Sequence, residues 1–288
     1  MSKISVTLLP SAGRPGPASA IAARADGHGV ETALELARRL GRVVSPPGSG
    51  NTRDLWEALA TIASHDLGMA RAIEPHLDAL LILSQAEAEA DAEAQLPAPA
   101  GDQTFHVAAP NADTTSTWGV FAAEGGDDPL VARMTDGGWS LTGTKPWCSL
   151  ADRLDRALVT AHLTGDERGL FAVDLRRAGV EVPTGTWHAR GLSEIPSGSV
   201  SFRAVPASPV GGPGWYLTRP GFAWGGIGVA SCWYGGAVGI ARTLFAQAGD
   251  SPEPLMAGRP EGRAPGGYAN YLSGELPTSD EVLVGLKA

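Results

Sequence analysis

The run Lys145-Pro146-Trp147-Cys148-Ser149 places an indole, a thiol and a hydroxyl side by side. On a regular strand residues i and i+2 face the same side, so Trp147 and Ser149 would present a flat aromatic face and a hydroxyl together. Tryptophan buries a large area and needs one N–H partner, which makes the core or rim of a β-domain the plain reading. The sharper reading is a stacking face for a planar ring such as an isoalloxazine, with hydroxyl or backbone donors aimed at its nitrogens and carbonyls. The core-or-rim reading covers most of Trp118, Trp139, Trp187, Trp215, Trp224 and Trp233, which crowd the same part of the chain.

Other chemistry finds little support. The Gly-rich dinucleotide and P-loop signatures, HExxH and GxSxG are all absent. His65 and His76 have no Cys or carboxylate at ligand spacing, so both read as satisfied or solvent-facing and no metal is expected. Cys148 and Cys232 sit far apart, which excludes a CxxC site and argues against a disulfide scaffold.

The elements that must position these residues change character along the chain. Residues 1–29 are Pro-, Gly- and Ala-rich over 10–29 and read as a mobile arm. Over 30–100, Val30, Ala33, Leu34, Ala37 and Leu40 form an apolar helical stripe, and Leu55, Trp56, Leu59 and Ile62 form another, with Asn51 as a cap. A further helix from Asp66 should be kinked or divided at Pro75, and the Ala/Glu-rich residues 86–100 read as solvated helix or linker. From 101 to 215 the period shortens to strands. Asp136-Gly137-Gly138 and Thr164-Gly165-Asp166 mark hairpin turns, and the spacing predicts an antiparallel barrel or sandwich. A helix follows over 216–248, then a Pro/Gly-rich tail over 249–288. The fold class expected is α+β: an N-terminal helical domain, an antiparallel β-barrel-like middle domain and the start of a C-terminal helical segment.

Composition bounds the function. The formal net charge of −9 leaves no basic excess to neutralise phosphates, so nucleic acid is not an expected partner. The apolar run from Gly221 to Leu244 is interrupted by glycines and ends on Arg242, which favours a buried helix over a membrane span. No signal peptide is legible at the start, and the expected location is cytoplasmic.

Several stretches resemble the acyl-CoA dehydrogenase family of flavoproteins. Trp139 to Ser149, followed by Ala151-Asp152, is similar to the family's "G-W-x-L-x-G-x-K-x-W-I-[ST]…A-D" segment. Phe121-Ala122-Ala123-Glu124-Gly125 resembles its "Y-x-x-T-E-P-G-x-G-S-D" loop. Val200 to Pro206 resembles its closing strand, and Gly235 to Ala241 the first helix after the β-domain. The resemblance implies FAD packed against Trp147, with Ser149 near the flavin N5. The backbone of Phe121, Ala122, Ala123 and Glu124 would line the pyrimidine edge and an acyl-CoA thioester, with Cys148 included in the cofactor segment. It implies an oxidoreductase acting on CH–CH groups and a homo- or hetero-oligomer.

The chain departs from the family in three places. Its loop after Glu124, Gly125-Gly126-Asp127-Asp128, is shorter, the family's substrate-side Arg falls near Ala230, and most of the C-terminal helical domain is lacking. Glu261, Glu275 and Glu281 read as solvated tail residues, so no catalytic base is assigned. The alternatives are a non-catalytic flavin- or thioester-binding relative and one subunit of a heteromeric dehydrogenase.

Overall fold

The computed structural model describes residues 5–8, 15–94, 115–165 and 167–249. The tail beyond Gly249, the 95–114 segment, Asp166 and the glutamates at 261, 275 and 281 lie outside the described residues. Four helices come first: α1 (Pro17–Ala22), α2 (Val30–Gly41), α3 (Thr52–His65) and α4 (Leu67–Ala94). Helix α1 falls inside the segment expected to be an arm. Two backbone N–H groups at its start, of Ala18 and Ser19, donate to the Asp54 carboxylate of α3 at 2.9 Å each. That carboxylate satisfies donors which no residue of α1 itself caps, and Ala18 and Ala22 are buried beside it.

Asn51 does stand at the N-cap of α3, but its side chain makes no capping bond. Helix α4 runs through Pro75 without dividing and continues over the Ala/Glu-rich residues to Ala94. Its side chains Ala79, Leu80, Ile82 and Leu83 pack on the sheet residues Trp118, Leu158, Leu170 and Val210 as one cluster. Each such fully buried large side chain contributes about 1.5–3 kcal/mol of transfer free energy, enough to hold α4 on the sheet despite the proline.

The strands are β1 (Trp118–Phe121), β2 (Val131–Thr135), β3 (Gly138–Ser149), β4 (Arg156–His162), β5 (Arg168–Asp174), β6 (Val180–Glu181) and β7 (Ser197–Val210). Hairpin β2–β3 turns at Asp136-Gly137, as its sequence predicts. Strand β4 pairs with β5, β5 with β7, β7 with β3, β3 with β2 and β2 back to β4, which closes a five-stranded barrel. The barrel is mixed where an antiparallel one was expected. β1 pairs with β4 in parallel, Trp118 opposite Arg156, and β2 meets β4 in parallel at Val131–His162. The cause lies next to the strand: Thr117 gives its N–H and its hydroxyl to the Asp155 carboxylate, each at 2.8 Å, and its carbonyl accepts from Arg156. These bonds lay β1 alongside β4 in the same direction.

Beyond the barrel, Pro220 separates a short helix α5 (Trp215–Thr218) from α6 (Phe222–Gly249). The expected single helix over 216–248 is therefore two. Helix α6 approaches α3 closely: a Cβ on Gly235 would stand 2.2 Å from the Ala60 carbonyl oxygen. Arg242 reaches across to the Ser64 hydroxyl. No helix among the described residues is long and apolar enough to cross a membrane.

Candidate functional site

Three cavities adjoin where α4, the end of β1 and the α5–α6 region meet. The smallest, about 90 Å³, is lined by Trp118 to Phe121, Trp147, Ser149 and Leu150 on the barrel side and by Arg71 and Pro75 on α4. A second, about 380 Å³, shares Arg71, Pro75 and Val120 with it and adds Ala122, Ala123, Glu74, Asp78, Tyr216 and Arg219. A third, about 290 Å³, lies between α3, α4 and α6 and shares Glu74, Asp78, Arg219 and Gly225 with the second.

Trp147 and Ser149 face the same cavity, although the strand that carries them is irregular. Between Lys145 and Cys148 the pairing with β7 slips by one residue, and Trp147 takes the left-handed backbone region at φ 52. Such a bulge re-aims a side chain. It turns the indole outward to 61% exposure, beside Gly125 of the loop after β1. The Ser149 hydroxyl bonds that of Ser197 at 2.7 Å. Cys148 points elsewhere: its thiol is buried, donates to the Lys145 carbonyl at 3.3 Å, and is pushed up to about 12 by burial. It lies by a separate cavity with Ala151, Val182 and Trp187.

The four residues after β1 also part company. Phe121 is buried against the smallest cavity, and Ala122 and Ala123 line the second. Glu124 turns into the barrel mouth, 2.9 Å from Lys145 Nζ, 3.1 Å from the Thr160 hydroxyl and 3.4 Å from His162 Nε2. Burial alone would raise its carboxyl, but the Lys145 hydrogen bond and charge, with Arg168, hold it below the usual carboxylate range. Lys145 is 2% exposed and its ammonium also donates to Thr160 at 2.8 Å. This network is structural first, because a buried ammonium without partners would be costly. It fixes the loop whose backbone borders the cavities.

The sequence did not single out the acidic pair on α4. Glu74 and Asp78, one helical turn apart, interrupt the mostly apolar first half of α4, and that interruption is the signal available in the sequence. Glu74 is 6% exposed; burial, then the nearby Asp78, push its carboxyl up to about 8, with Arg71 at 3.2 Å only partly offsetting them. Asp78 is raised as well, by burial, against the pull of Arg219 at 4.0 Å. His76 between them faces away. It accepts the Trp118 N–H at 3.2 Å, and burial lowers it to about 4, so it is a neutral core histidine. Among the described residues no group of His, Cys, Asp and Glu is placed to hold a metal ion.

Comparison with solved structures places this architecture. The chain is similar to FMN-bound TdsC from Paenibacillus sp. A11-2, a dibenzothiophene monooxygenase, with 22% identity and a TM-score of 0.59 over 83% of this chain and 64% of that one. It is similar to KijD3 in complex with FMN and a dTDP-linked keto sugar, with 20% identity and a TM-score of 0.61 over 79% of this chain and 58% of that one. It is also similar to a nitrososynthase from Micromonospora carbonacea var. africana, with 18% identity and a TM-score of 0.60 over 78% and 60%. The likeness shows the fold, an arrangement of helices around a mixed barrel. This chain spans less than two thirds of each of those proteins. No family model and no curated protein sequence matches it.

Proposed function

We propose that this chain is the flavin-binding portion of a flavin-dependent oxidoreductase of the monooxygenase kind. The observation that carries the reading is the joint placement of Trp147, Ser149, Phe121, Ala122 and Ala123 around two adjoining cavities, in a fold shared with FMN-bound proteins. The residues fit a flavin. Trp147 offers an exposed aromatic face, Ser149 a hydroxyl, and the β1 end a backbone edge free of bulky side chains at Ala122 and Ala123. When bound, the flavin would supply two-electron redox chemistry that no side chain of the chain provides. The protein's part is to stack and orient the ring, to shield it between α4 and β1, and to hold a proton at the Glu74 carboxyl, which burial raises to about 8.

FMN is preferred to the FAD that the sequence resemblance implies, because FMN is the flavin in the similar structures. An acyl thioester remains the alternative substrate, with homo- or hetero-oligomeric assembly as the corresponding proposal about partners. On that alternative the resemblance calls for a carboxyl as the base, and in the walls of the three adjoining cavities Glu74 and Asp78 carry one. The test is the visible spectrum of the purified chain after incubation with FMN or FAD, with the retained flavin identified by chromatography after denaturation. Retained flavin that is bleached by acyl-CoA under anaerobic conditions would shift the reading to a dehydrogenase. Absence of any retained flavin would end it.

A further inference from the structure

Arg71 is the one charged residue among the described residues that line the cavity of Trp147 and Ser149, and it lines the second, larger cavity as well. Its side chain is 24% exposed, and of its guanidinium only Nη1 is engaged, donating to Glu74 at 3.2 Å. The Nε and Nη2 N–H groups have no partner among the described residues and are not enclosed. In an arginine these two donors lie parallel on one edge, the edge that a carboxylate or a similar oxyanion accepts with two oxygens at once.

The charges around Arg71 leave that edge uncompensated. Asp78 has a cation of its own, Arg219 at 4.0 Å. Glu74 is raised to about 8, chiefly by burial, so near neutral pH its carboxyl accepts from Arg71 without cancelling the charge. Tyr216 on α5 and Cys232 on α6, the other titratable groups that face Glu74, are both pushed up to about 12 and stay neutral. A partly buried cation with no counter-charge is unfavourable, and an anion set against it removes that cost. Much of the remaining wall of the second cavity is apolar, with Val120, Ala122, Ala123, Phe222 and Val229. Its volume of about 380 Å³ lies within the range of small-molecule pockets, roughly 300–1,000 Å³.

We propose that the second cavity takes a small organic anion, with an apolar body and one carboxylate or comparable oxyanion group, and that the Nε–Nη2 edge of Arg71 binds that group. The proposal rests on the flavin reading above and names the substrate class for the same site. Arg71 borders the cavity of Trp147 too, so the bound anion lies at the junction of the two spaces, beside the surface assigned to the flavin. Glu74 positions the arginine through Nη1 and, once ionised, competes for its charge. The anion is therefore held while Glu74 keeps its proton and is released as pH rises through about 8.

The test uses benzoate and benzamide, which match in shape and differ in charge. Each is titrated calorimetrically into the full chain, with and without FMN. Benzoate should bind about ten- to a hundredfold more tightly than benzamide, the range expected for hydrogen bonds between charged groups. The preference should vanish in Arg71→Met and survive in part in Arg71→Lys, which keeps the charge and loses the fork. Benzoate affinity should fall above about pH 8, by up to about tenfold per unit, and should stay level in Glu74→Gln. Equal binding of the two probes to the unaltered chain, no saturable binding, or a benzoate affinity that ignores pH overturns the proposal, whatever the variants do. A preference kept in Arg71→Met overturns it as well. So does displacement of benzoate by FMN but not by riboflavin, since Arg71 would then hold the flavin's phosphate. Flavin retention is read separately on the same samples. Flavin retained without benzoate preference removes the anion site alone, and benzoate preference without flavin removes the functional reading alone.

Discussion

The Asp155 carboxylate holds both the N–H and the hydroxyl of Thr117 at 2.8 Å, and this contact lays β1 alongside β4 in parallel. It joins residues far apart in sequence and sets where Val120 to Ala123 reach the cavities. Asp155→Ala leaves the Thr117 N–H without its acceptor and should cost about 1–3 kcal/mol, read as a lower midpoint in urea unfolding with an unchanged slope. Asp155→Asn, which keeps one acceptor oxygen, should recover part of that loss. An Ala variant as stable as the parent would show that the parallel register has another source.

Two buried groups give stability opposite pH dependences. The Glu74 carboxyl is raised from 4.5 to about 8, so its contribution is fully present below about 4.5 and is lost as pH rises toward 8. His76 is lowered from 6.5 to about 4, so its contribution is present above about 6.5 and is lost as pH falls toward 4. Glu74→Gln should flatten the alkaline limb, where each group can impose a slope of up to about 1.4 kcal/mol per pH unit. Denaturant unfolding at a series of pH values checks this. A parent chain whose stability does not change between pH 5 and 8 would contradict the Glu74 assignment.

What could be read from the sequence divides along local and long-range lines. The β2–β3 hairpin was legible because Asp136-Gly137 and the flanking alternation are neighbours in the chain. The strand-forming runs of β4 and β5 were legible for the same reason. The parallel pairing of β1 was not, because it depends on the Thr117–Asp155 contact, which no local pattern announces. Helix α1 read as an arm because its N-terminal donors are satisfied by Asp54, on a different helix. At the site, the pairing of Trp147 with Ser149 was found through i, i+2 alternation, yet a bulge and a left-handed Trp147 produce it. Glu74 and Asp78 went unread because their meaning depends on Arg219, which another helical segment brings to them.

Helix α6 offers a paired test of close packing. Gly235→Ala places a Cβ 2.2 Å from the Ala60 carbonyl and must push α6 off α3, at a cost of about 1–3 kcal/mol. Gly226→Ala, on the same helix with nothing within 4 Å, should instead stabilise by about 1 kcal/mol through helix propensity. Thermal unfolding of the two variants should therefore shift in opposite directions. Shifts of the same sign would mean that α6 does not approach α3 at Gly235.

Trp147 separates binding from folding. Its side chain is 61% exposed, in contrast to Trp118, which is fully buried under α4. Removing an indole that buries little of itself should change stability by no more than about 0.5 kcal/mol. The left-handed backbone at Trp147 is somewhat costly for any residue other than glycine, and Trp147→Ala does not relieve that cost. If the indole is the stacking face for a flavin ring, its loss removes a contact made only when the flavin is bound, so flavin affinity should fall while the unfolding midpoint stays in place. Trp147→Phe, which keeps an aromatic face, should retain most of the affinity, and Ser149→Ala should weaken it less than Trp147→Ala does, since the Ser149 hydroxyl is already engaged with Ser197. Flavin fluorescence quenching on titration, with unfolding measured on the same preparations, gives both quantities. Undiminished quenching in Trp147→Ala would place the flavin against some other surface of the barrel.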